Sequence, residues 1–217
     1  MFSKFREPVS GLTHLLGAFV SLIGLIFLIV FSVNENSILR IVTVTIFGIS
    51  LILLYSASSV YHLVKVSEKA IKVYRRIDHS MIYVLIAGSY TPICLIALRK
   101  SWGIQMLVLI WSLAIMGILV KNFWFNAPRW LSTAFYIIMG WAAVIVILPL
   151  SRVLSPIAMT WLVAGGVSYT IGGLIYGLKW PKITNKYFGF HEIFHLFVLL
   201  GSFCHYWLII KYVLYIN

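Results

Sequence analysis

The chain has 217 residues, 62% of them apolar and only 10% charged, with a mean hydropathy of +1.01. One small soluble domain cannot bury that much apolar surface, so the composition excludes a water-soluble globular protein and makes lipid the solvent. The net charge of +12 would suit nucleic acid, but no soluble surface exists to present a groove reader; it reads instead as membrane topology and attraction to anionic lipid headgroups.

In chain order, the start "MFSKFREPVSGLTHLLGAFV" has a basic beginning and then a long apolar run without an A-x-A cleavage site, which reads as a first span and not as a removable signal peptide. Uncharged stretches predict seven spans, at about 12–33, 41–61, 80–98, 101–120, 130–150, 153–178 and 190–210. Each is near the roughly 20 residues that cross a bilayer as a helix. Short strands of alternating polarity are absent, which argues against a barrel. The expected fold is all-α: one seven-helix transmembrane domain over 1–217, multi-pass in the cell membrane. The longest predicted loop, 63–79, is too small for a folded domain, so the protein works inside the membrane or at its face. Within the spans, Cys94 and Cys204 read as inert packing residues with nothing to support a disulfide. Trp102, Trp130 and Tyr212 read as interface anchors, and Gly173-x-x-x-Gly177 as a point of close helix packing.

Charge placement predicts orientation. The side shared by the N-terminus and the even-numbered loops carries twelve basic residues: Lys4, Arg6, Lys65, Lys69, Lys72, Arg75, Arg76, Lys121, Arg129, Lys179, Lys182 and Lys186. The other side carries five, Arg40, Arg99, Lys100, Arg152 and Lys211. By the positive-inside rule the N-terminus is cytoplasmic and the C-terminus external. The segment "KVSEKAIKVYRR" is the main patch expected to meet anionic headgroups.

Applied to the histidines, that topology brings four groups able to bind a metal to one membrane depth. His191 and His195 open span seven in the stretch "HEIFH"; His62 closes span two; Asp78 precedes span three. Residues i and i+4 project from one helix face, so His191 and His195 can address one ion, and Ser58 shares the face of His62. Three neutral imidazoles leave a fourth position open, the pattern of a catalytic zinc; Asp78 either fills it or holds a water there, with Asp78 as the candidate catalytic base and Ser58 as a candidate oxyanion donor or a helix-packing hydroxyl. His14 and His79 lie on the same side without a helical partner at ligand spacing. His205 shares the face of His195 but sits about 15 Å deeper, out of reach of the same ion. H-E-x-x-H is also a metalloprotease signature, but no L-D-G aspartate follows residue 195. Glu192 is expected to pair a loop cation such as Lys186.

These residues resemble a family. "EPVSGLTH", Ser58-x-x-x-His62 followed by Asp78, and "HEIFHLFVLLGS" are similar, in order, to the motifs of the progestin and adiponectin receptor superfamily, most closely its bacterial hemolysin III branch. The resemblance covers nearly the whole chain. It implies zinc near the cytoplasmic leaflet, held by His62, His191 and His195, with Asp78 contacting it through water and Ser58 nearby. A likeness of this zinc site to alkaline ceramidases implies hydrolysis of a lipid amide, and bacterial members imply a role in membrane lipid homeostasis. The expected function is therefore a zinc-dependent lipid amide hydrolase, with membrane lipids as partners and no nucleic acid. A zinc-stabilised sensor or receptor without turnover is the alternative, and a pore or transporter a third. No Gly/Pro-broken pair of spans is visible to support the last.

Overall fold

The computed structural model describes residues 5–35, 37–124, 128–183, 185 and 188–216. Seven helical spans long and apolar enough to cross a membrane run through it, and no strand occurs among the described residues. They are α1 (Pro8–Asn34), α2 (Ile38–Leu63), α3 (Glu68–Pro92, continued as a π-helical turn through Ala97), α4 (Gly103–Phe123), a fifth span, α7 (Pro156–Leu178) and α8 (Phe190–Lys211). The fifth span is composite: α5 (Arg129–Trp141), a 3-10 turn (Ala142–Val146) and α6 (Ile147–Val153).

The expected loop at 63–79 is mostly helix. Ser67 caps α3 by accepting the Ala70 N–H at 3.4 Å, Glu68 sits in the first turn, and nothing in "EKAIKVYRRID" breaks the helix. Charge marked where the apolar part begins, not where the helix does. The third span is the axis of the bundle, with 72% of its most apolar window buried against 17% for the first.

Small residues set the closest approaches. A Cβ at Gly11 would lie 2.5 Å from the Leu63 side chain, and one at Gly165 would lie 2.6 Å from His205 Nε2. At Gly173 and Gly177 the nearest atoms, on Ile137 and Thr133 of α5, are 3.4 Å away, an ordinary contact. Gly88 against Ser50 of α2 and Gly117 against Tyr83 of α3 are tighter still, at 2.3 and 2.4 Å, so the close seams lie at these glycines and not at the G-x-x-x-G predicted. Cys94 and Cys204 are buried free thiols.

Two spans depart from regular helix where the sequence reading expects none to be broken. Pro92 lacks an N–H, and the turn after it widens so that Leu98 N–H reaches Ile93 C=O at 3.0 Å. Opposite, the tightened turn of the fifth span frees backbone groups that Tyr90 satisfies: its hydroxyl donates to Gly140 C=O at 2.7 Å and accepts from Ala143 N–H at 2.8 Å. Unpaired backbone in hydrocarbon costs several kcal/mol, on the order of what one well-placed phenol removes.

The ends of the spans near Pro8, Leu63, Glu68, Phe123, Arg129, Leu178 and Phe190 gather at one end of the bundle, called here the site end. The basic asymmetry leads us to expect this end in the cytoplasm. A reporter fused after Asn217 should then behave as external, and a cytoplasmic signal there would reverse the assignment.

A candidate metal centre

The last turn of α2 and the first two turns of α8 bring His62, His191 and His195 together, with one ring nitrogen from each within 4.8 Å of the others. His191 Nε2 stands 3.1 Å from His195 Nε2 and 3.3 Å from His62 Nε2. His62 and His195 are buried, and His191 is partly so.

The other face of two rings fixes what these nitrogens carry. His62 Nδ1–H donates to Glu7 Oε2, and His195 Nδ1–H donates to the Ser10 carbonyl at 3.2 Å. Each neutral ring has one N–H, so both Nε2 atoms present lone pairs to the centre. His191 has at most one proton to offer two lone pairs, and hydrogen bonding alone cannot satisfy the cluster. A cation can. Bonds of about 2.0–2.1 Å in tetrahedral directions separate nitrogen ligands by roughly 3.4 Å, close to the spacing present.

The support comes from the segment "EPVSGLTH". Glu7 takes the His62 ring proton and also donates its own backbone N–H to His62 C=O at 2.9 Å. Burial pushes the Glu7 carboxyl up, but the hydrogen bond from His62 and the charge of Arg6 outweigh it and hold the group below its ordinary value. Ser10 Oγ donates to Glu192 Oε1 at 2.6 Å, and Glu192 Oε2 accepts the Gly189 N–H at 2.8 Å. Glu192 therefore caps α8 and ties it to α1; the expected pairing with Lys186 lies outside the described residues. His14 stacks on His195 with ring centroids 3.7 Å apart.

Orienting carboxylates and carbonyls behind metal-binding imidazoles typically tune metal affinity by about 10–100-fold. Glu7→Ala should weaken metal binding within that range, and Glu7→Gln, which keeps an acceptor, should weaken it less. Metal titration of the purified variants checks this; equal affinity for Glu7→Ala would remove Glu7 from the site.

Asp78 and Ser58 are both buried and line one cavity. Asp78 does not join the three-imidazole cluster among the described residues. A cavity of about 200 Å³ begins at His191, His195, Asp78 and Ser58 and runs inward past Phe194 and Val198 to His205. Its wall includes Trp141, Val144 and Val163, which are also exposed on the outer face of the bundle, so it opens sideways between the fifth span and α7. His79 lines it too, its carbonyl accepting the Tyr136 hydroxyl at 3.0 Å. His205 stacks on Tyr169 and, as expected, is not part of the cluster.

Sequence reasoning placed the three histidines, Asp78 and Ser58 at one end, and the structure brings them there. It missed Glu7 and Ser10. A signal was present: polar residues 7, 10 and 14 lie at i, i+3 and i+7, one face of a helix whose continuation is apolar.

The family profile described as Haemolysin-III related matches residues 2–206. The chain belongs to that family. Among its relatives, this haemolysin-III-related chain is 41% identical over 202 residues to "Hemolysin-3 homolog" of Bacillus subtilis (strain 168), covering 93% of this chain and 92% of the relative. It is 38% identical over 209 residues to "Hemolysin-3" of Bacillus cereus, covering 96% and 92%. "Monocyte to macrophage differentiation factor" of Homo sapiens is 25% identical over 175 residues, covering 79% and 70%. The haemolysin-III-related chain is accordingly a multi-pass membrane protein with a three-histidine cluster able to hold a metal ion.

Proposed function

We propose that this chain is a zinc-dependent hydrolase of lipid amides, acting in lipid homeostasis of the cell membrane. The observation that carries the reading is the pairing of three Nε2 lone pairs, with their rings held from behind, and a carboxylate outside the ligand set at the head of a lipid-facing cavity. Zinc suits a set of imidazoles without thiolate or carboxylate. When bound it supplies Lewis acidity toward a carbonyl and toward water.

The chain's own residues supply the rest. The apolar wall of Ile82, Ile86, Phe194 and Val198 takes an acyl chain. Asp78 accepts a proton from the attacking water and returns it to the amine nitrogen as the C–N bond breaks, so that amide and water give carboxylic acid and amine. Ser58, buried in the same cavity, donates its hydroxyl proton to the oxyanion. Purified, zinc-loaded protein should release fatty acid from ceramide-like lipids; absence of release from every lipid amide tried would overturn the enzyme reading.

The alternative, a zinc-stabilised sensor, is supported by the way the centre ties both ends of the chain together through Glu7, Ser10 and Glu192. It needs Asp78 as fourth ligand, which the zinc content of Asp78→Asn protein tests.

A further inference from the structure

Beside the metal centre, three cations from three helices face the same cavity: Arg75 of α3, Lys121 of α4 and Arg129 of α5. Asp78 is the only carboxylate among the residues lining it. The three are close enough for Lys121 to be repelled by both arginines. Two other cations are paired with carboxylates, Arg6 with Glu7 at 3.5 Å and Arg40 with Glu35 at 2.7 Å. Here no ion pair forms among the described residues. Lys121 donates to Ser132 Oγ at 3.4 Å, and Arg129 lies 4.6 Å from the centre of the Tyr176 ring. Arg129 Nη1 is buried with no hydrogen-bond partner.

Two half-buried cations, Lys121 and Arg129, with the exposed Arg75 beside them and one guanidinium N–H orphaned, are a poor arrangement for a folded protein alone. They are a good one for a multi-oxygen anion, since a guanidinium fork with an ammonium beside it matches phosphate. The cavity behind them is apolar and opens to lipid. We propose that Arg75, Lys121 and Arg129 bind the phosphate headgroup of an anionic lipid whose acyl chain occupies the cavity. The inference rests on the lipid-cavity part of the function proposed above, narrows the substrate class to phosphate-bearing lipids, and does not require turnover.

The test uses full-length protein in neutral detergent, with three probes: short-chain phosphatidic acid, the matching neutral diacylglycerol, and inorganic phosphate. Phosphatidic acid should bind at least tenfold more tightly than either of the others, and binding should weaken as salt is raised. Arg129→Gln should lower its affinity about tenfold or more, as expected for loss of a charge-assisted hydrogen bond. Lys121→Gln, on a different helix, should do the same and covers the case in which the arginine variant does not fold. His191→Ala should still bind phosphatidic acid, so failure of the metal centre and failure of this site are separable. Equal binding of the diacylglycerol would overturn the proposal, as would inorganic phosphate binding as tightly as the lipid, or unchanged affinity in folded Arg129→Gln and Lys121→Gln proteins.

Discussion

His191→Ala and His195→Ala proteins, purified from the membrane, should each lose the roughly one equivalent of zinc expected per wild-type chain, while His205→Ala keeps it. The three nitrogens lie within 4.8 Å of one another, and no other described carboxylate, thiol or imidazole joins that set. Removing one leaves two ligands, too few for the three- or four-ligand sites zinc occupies in proteins. The effect should be large because no neighbour can substitute: Glu7 is engaged with the far side of His62, and Glu192 with Ser10 and Gly189. His205 is a strict control, because it is a buried histidine on the same helix and in the same cavity, yet outside the cluster. Elemental analysis of the three variants checks the assignment. Retention of zinc by His191→Ala together with its loss in His205→Ala would show that the centre lies elsewhere.

Asp78→Asn should separate chemistry from architecture. Asparagine keeps the shape and an acceptor oxygen at this buried position. What it cannot do is take a proton from water. If Asp78 is the general base, the variant should retain zinc and melting temperature while losing turnover by about a hundredfold or more, the usual scale for a positioned base. If Asp78 instead completes a structural zinc site, the amide oxygen is a weaker ligand, and zinc affinity and thermal stability should fall together. Zinc content, melting temperature and fatty-acid release on this one variant decide between hydrolase and sensor.

Much of this was legible in the sequence because the membrane simplifies the problem. Span length and loop charge order the helices, and an ordered bundle with short loops has few ways to align His62 with His191. The i and i+4 spacing of His191 and His195 then does the rest. What was not legible falls into two kinds. Helix that extends beyond the apolar zone, as α3 does from Glu68, leaves no hydropathy signal. Partners chosen by tertiary contact, such as Glu7 for His62 or Ser10 for Glu192, depend on how α1 leans on α2 and α8. Spacing within one helix shows that residues 7, 10 and 14 share a face; it does not show what that face meets. The irregular turns at Pro92 and Ala142–Val146 are of the second kind, since Tyr90 couples them across the bundle.

The grip of Glu7 and Ser10 on His62 and His195 sets the order in which the protein can mature. During synthesis a chain that has emerged through α7 already holds His62 and its Glu7 brace, but a single imidazole with its ring oriented is no metal site. The second and third imidazoles, and the Ser10 carbonyl's partner, arrive only with α8. A metal held by all three imidazoles would be bound only after α8 has packed against α1 and α2. A chain stalled or cut before Phe190 would be inserted, apolar and helical, yet inert toward metal. The cluster thus closes α1 onto α8, so that binding of a metal would report on the packing of two spans far apart in the chain.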